Sequence, residues 1–95
     1  MSVGNNANVV TNASVGTSAV KLLDGQSRRD ELLIQNTGAT NNVFVGKDST
    51  VTATGVTTGL KLAPGTNPVR FDEYNGPIYV IADVASAQVT AFEVF

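Results

Sequence analysis

Eight carboxylates, six basic side chains and two tyrosines are the side chains with which this chain of 95 residues could move protons or hold charge; histidine and cysteine are absent. Two carboxylates facing one sugar from opposite sides can cleave a glycosidic bond. Here the acids come as neighbours, Asp30-Glu31 and Asp72-Glu73. Adjacent residues of a strand point to opposite faces, so neither doublet is a catalytic pair on its own. Both read as solvated acids at strand ends, the usual place of carboxylates. Asp72-Glu73-Tyr74-Asn75 gathers oxygen ligands. No Asp-x-Asp-x-Asp-Gly loop accompanies it, and a hard-cation site is not expected. Zinc would lack its His and Cys ligands. Serine and threonine hydroxyls have no base to activate them, and no Gly-x-Ser-x-Gly occurs. The glycines stand singly, so no phosphate-cradling loop is present. These residues point to a protein that is not an enzyme and carries no cofactor.

Contact chemistry is the remaining option. Six aromatics are present: Phe44, Phe71, Tyr74, Tyr79, Phe92 and Phe95. The four phenylalanines read as core, and Tyr74 and Tyr79 as core-edge caps or partner contacts. Arg28 and Arg29 stand beside Asp30 and Glu31. They read either as a charged strand start with local ion pairs, each worth less than about 1 kcal/mol, or as a rim contact to an acidic surface. The candidate partner-binding residues are Val9, Val10, Asn12, Arg28, Arg29 and Tyr74.

The elements that must position these residues are strands. Helical periodicity is nearly missing, and β-branched runs are bounded by Gly, Asn, Asp or Pro. Strands are expected at 8–14, 18–23, 29–36, 42–46, 60–62 (starting as early as Val56), 68–71, 77–82 and 87–95. Val20 and Leu22 share a face, as do Leu32 and Ile34. Val43 and Val45 oppose Phe44. In the last strand Phe92 and Val94 are expected on the buried face. About eight short strands with turns every 8–12 residues predict an all-β antiparallel sandwich or small barrel, jelly-roll-like. Residues 1–16, Asn/Ser/Val-rich and without side-chain charge, read as an extended N-terminal arm laid on its own sheet or on a neighbouring subunit. Residues 17–95 read as one β domain. The Thr-rich 49–59 stretch is a strand followed by a loop, or one long loop.

Composition narrows the partners. Only 15% of residues are charged and the net charge is −2. A nucleic-acid binder needs a basic patch, and so does polybasic membrane attachment. Neither nucleic acid nor membrane is expected. A 95-residue core without disulfides is modest, and oligomerisation is the common remaining staple. The start, Met1-Ser2-Val3-Gly4-Asn5-Asn6, has no basic or apolar segment of a secretory signal, so synthesis in the cytoplasm is expected. The sequon Asn12-Ala13-Ser14 is then not a glycan site.

A cadence runs through the middle of the chain. Ser27-Arg28-Arg29-Asp30-Glu31-Leu32-Leu33-Ile34-Gln35-Asn36 is followed by Asn42-Val43-Phe44-Val45-Gly46. Then come Gly59-Leu60-Lys61-Leu62-Ala63-Pro64-Gly65 and Gly76-Pro77-Ile78-Tyr79-Val80-Ile81-Ala82. From Ser27 to Val94 the chain resembles the small all-β virion proteins of tailed bacteriophages. These strand-and-turn signatures specify fold better than role. The resemblance implies a structural protein on the outer surface of the virion capsid. Such a capsid decoration, or cement, protein would bridge subunits of the major capsid protein. It also implies a homo-oligomer, with a trimer as the natural closed form, and carries over no catalytic residue. The alternative from the same resemblance is a receptor- or glycan-binding knob of a phage fibre or tail.

Overall fold

Alternating β-branched and small residues, cut by turn residues, form eight strands in a computed structural model that describes residues 6–55 and 58–95. They are β1 (Ala7–Val15), β2 (Val20–Leu23), β3 (Glu31–Asn36), β4 (Val43–Gly46), β5 (Leu60–Leu62), β6 (Val69–Asp72), β7 (Ile78–Ala82) and β8 (Ala87–Val94). Each expected strand has its counterpart. The earlier start at Val56 lies outside the described residues.

Two four-stranded sheets result, ordered β1-β8-β3-β6 and β2-β7-β4-β5, with every pairing antiparallel. First pairs with last, second with seventh, third with sixth and fourth with fifth. The chain is thus a long hairpin wrapped over itself, which is the jelly-roll solution to packing two antiparallel sheets. Antiparallel sheets suit this sequence because each needs only one apolar face.

Between the sheets lie Leu22, Leu23, Leu32, Ile34, Val43, Val45, Leu62, Ile78, Val80, Val89 and Ala91. A register shift between Lys21 and Leu23 explains why both Leu22 and Leu23 reach this core. Val43 and Val45 share a face opposite Phe44, as expected; that face points inward, and Phe44 faces outward from the second sheet. There Phe44 and Ile81 are covered by Val51, from the connection between β4 and β5, with Ala19, Ala53 and Tyr79 at the margin. The second sheet therefore has apolar packing on both faces.

The described part of residues 1–16 is built into the sandwich. β1 pairs with β8 from Ala7–Val94 to Asn12–Val89, and the backbone N–H of Phe95 donates to Asn6 O at 2.9 Å. A register shift between Asn12 and Val15 then turns the chain toward the other sheet. Val15 is fully buried, and Gly16 O accepts from Ala82 N at 2.8 Å.

The last strand corrects an expectation. Val89, Ala91 and Glu93 point into the core, while Phe92 lies outward and 40% exposed. Apolar counting favoured the opposite face. The carboxylate of Glu93 is tolerated inside because Arg29 meets it there.

Candidate functional site

The outer face of the first sheet is the surface with the most to offer a partner. Strand alternation and register build it row by row. Val9, Phe92, Leu33 and Arg70 stand side by side across β1, β8, β3 and β6. The row on one side is Ala7, Val94, Glu31 and Asp72. On the other side Thr11, Thr90 and Gln35 align. Val9 is 58% exposed. Leu33, Gln35, Pro68, Thr90 and Phe92 outline a shallow depression of about 300 Å³. Phe92 lies outward because its strand neighbours Ala91 and Glu93 are required inside. Leu33 lies outward because Leu32 and Ile34 fill the core.

Polar groups on this face are already organised. The Thr11 and Thr90 hydroxyls lie 2.9 Å apart, those of Thr37 and Thr90 3.2 Å apart, and Gln88 Nε2 donates to Thr37 Oγ1 at 3.1 Å. At the β6 side Arg70 contacts Glu31 at 2.6 Å and Asp72 at 3.0 Å. Its hydrogen bond to Asp72, then the charges of Asp72 and Glu31, hold the guanidinium above the ordinary arginine range. The face therefore grades from uncharged at β1 and β8 to charged at β3 and β6. Among the described residues no segment packs over Val9 or Phe92 as Val51 does over Phe44 and Ile81.

The site residues expected from sequence scatter. Val9 lies on this face. Val10 points the other way and packs half-buried against the core. Asn12 also points inward, and its Oδ1 accepts from Ser14 N at 2.8 Å, shaping the bulge. Arg28 is exposed. Arg29, by contrast, is buried in the end of the sandwich. Its Nε donates to Glu93 Oε2 at 2.9 Å, with Nη2 2.7 Å from the same oxygen. Nη1 donates to Tyr74 O at 3.1 Å and Gly76 O at 2.9 Å, and Nη2 to Asp24 O at 2.8 Å. The other Glu93 oxygen accepts from Asn8 Nδ2 at 2.9 Å. The local ion pair expected for Arg29 is thus a long-range one, and Glu31 pairs instead with Arg70. Tyr74 is half-buried: its hydroxyl donates to Pro77 O at 2.7 Å and its ring lies 6.4 Å from that of Phe71. Phe92 and Leu33 were missed. The signal for Leu33 was present, since Leu32 and Ile34 inward leave it outward.

A second opening lies between the free edges of β5 and β6. Val45, Lys47, Leu60, Phe71, Tyr74 and Ile78 line much of this cleft of about 440 Å³. Its walls are apolar, with Lys47 at the rim. Among the described residues no cluster of three or more acidic side chains could hold a metal ion.

Known protein families offer no match to the chain, and neither do curated protein sequences.

Proposed function

We propose that this chain is a non-enzymatic structural protein of a tailed bacteriophage virion. It decorates the outside of the capsid and bridges subunits of the major capsid protein through the outer face of the first sheet. The observation that carries this reading is that face: four strands with exposed Val9 and Phe92 beside a half-buried Leu33, bordered by hydroxyls and by one charged cluster. Large exposed apolar side chains grouped on a rigid sheet mark interaction surfaces. A repeated lattice multiplies weak contacts through avidity, so a modest patch suffices. The strand-and-turn cadence from Ser27 to Val94 supplies the link to phage virions.

The test is to add purified protein to heads that lack it and measure occupancy by electron microscopy and protein quantitation. Saturable binding at lattice copy number is expected. Phe92→Asp should weaken binding at least about 30-fold, as loss of an interface anchor worth about 2 kcal/mol does. Its circular dichroism should match the parent, since Phe92 is no part of the core. Heads left bare, or binding indifferent to Phe92→Asp and Leu33→Asp, would overturn the proposal. The cleft between β5 and β6 supports a second reading, a receptor- or glycan-binding knob. A copy number of only a few per virion, with glycan binding that competes at the cleft, would favour that reading.

A further inference from the structure

We infer that the free edge of β1 pairs with the same edge of a second copy of this chain, antiparallel and about a two-fold axis. Four strands end the two sheets, and three of them resist pairing. β6 carries Arg70 and Asp72 and follows Pro68. β5 has three residues, one of them Lys61. β2 has four, with Lys21 and an irregular register. Charge, brevity, proline and bulges are the features that keep sheet edges from joining. β1 has nine residues, Ala-Asn-Val-Val-Thr-Asn-Ala-Ser-Val, without charge or proline. Among the described residues no strand other than β8 pairs with it.

The occupant follows from the same features. Two uncharged strands meet without like-charge repulsion, and an isologous contact covers both open edges at once. The regular segment before the bulge runs from residue 6 to 12 and is centred on Val9. Placing Val9 opposite Val9 of the second copy pairs Ala7 with Thr11 and Asn8 with Val10. This register keeps inward residues opposite inward ones, so the two outer faces become one. The row Leu33-Phe92-Val9 then continues across the axis, and backbone hydrogen bonds join the sheets by strand addition. This is a two-fold pair, where the phage resemblance implies a trimer. The inference holds whether or not the protein belongs to a virion.

Sedimentation of the full chain over a wide concentration range tests it, together with two variants. The parent should sediment as a dimer. Val9→Lys sets two like charges opposite each other at the axis and should raise the dimer dissociation constant about fivefold. Its circular dichroism should stay that of the parent. Val9→Cys introduces the single thiol of the chain, so oxidation should give a disulfide-linked dimer, whereas Val20→Cys on the β2 edge should not cross-link. A monomer at every concentration would overturn the inference and leave the β1 edge to a strand of another protein. A dimer that Val9→Lys leaves intact and Val9→Cys does not cross-link would overturn it too, by placing the contact elsewhere.

Discussion

Arg29 directs all five of its N–H groups into the fold: two toward Glu93 and three to the carbonyls of Asp24, Tyr74 and Gly76. Removing one member of a buried ion pair leaves a stranded charge and costs about 3–5 kcal/mol, a large part of a domain's stability. Glu93→Leu should lose that much in urea unfolding. Many buried pairs can be replaced together by apolar side chains without loss. Here Arg29→Met with Glu93→Leu should stay at least about 2 kcal/mol below the parent, because three carbonyls and the Asn8 amide lose their partners. A double variant as stable as the parent would show that those carbonyl bonds contribute nothing. At the surface, the Thr50 hydroxyl and then the Thr50 backbone N–H hold the Asp48 carboxyl below its ordinary range. A depressed carboxylate stabilises the fold above its unfolded pKa, and that contribution disappears as pH falls through the lower folded value. In an NMR titration, Thr50→Ala should move the Asp48 midpoint upward. An unchanged midpoint would remove the hydroxyl as its cause.

Strands and their connections set a second group of constraints. β1 is chemically the blandest element, yet it supplies Val15 to the core and Asn8 to the Arg29–Glu93 node. Deleting residues 1–16 also strips β8 of one hydrogen-bonding neighbour. The melting temperature should fall by more than about 10 °C, as a loss of a few kcal/mol does in a domain of this size. A melt within a few degrees of the parent would mean that β8 tolerates an open edge. The cover over the second sheet depends on glycine where β4 and β5 meet Val51. A Cβ at Gly59 would lie 2.6 Å from Val51 Cγ2 and 2.7 Å from Val45 O, whereas at Gly16 nothing lies within 4 Å. Gly59→Ala should therefore cost about 1–3 kcal/mol through overpacking, and Gly16→Ala should change thermal stability little. Equal melting temperatures for the two would contradict the close approach.

The whole molecule is wound from the outside inward. Its first and last strands are neighbours, and the contact of Asn8 with Glu93 spans 85 positions of sequence. Among the described residues only the β4–β5 pair joins consecutive strands. Closing long loops before any contact rewards them slows folding, so all-β folds of this kind fold in milliseconds to seconds. Refolding from urea in a stopped-flow instrument should show a main phase in about that range. A main phase finished within about a millisecond would mean that local structure, rather than the wrapped pairing, sets the rate. The same topology leaves the two faces of the molecule unlike. Val51 and Ala53 of the β4–β5 connection cover Phe44 and Ile81 on the outer face of the second sheet, whereas among the described residues nothing packs over Val9 or Phe92 on the first.

Strand positions were legible from the chain because alternation, β-branching and turn residues are local signals. So was the inward face of β3, with Leu32 and Ile34, whereas β4 is buried on both faces and its sequence showed only that Val43 and Val45 oppose Phe44. Sandwich or barrel, strand order and the open edge were settled only by the tertiary structure, since pairing is decided between residues far apart in sequence. The orientation of β8 shows why. Read alone, Phe92 outranks Glu93 for a place in the core. In three dimensions Arg29, 64 positions away, neutralises that carboxylate, and the small Val89 and Ala91 fit between the sheets. Phe92 is thereby turned outward onto the surface that now carries the functional proposal, and Arg29 is withdrawn from it. Burial of charge is a property of pairs, and one strand's sequence holds only half of each pair.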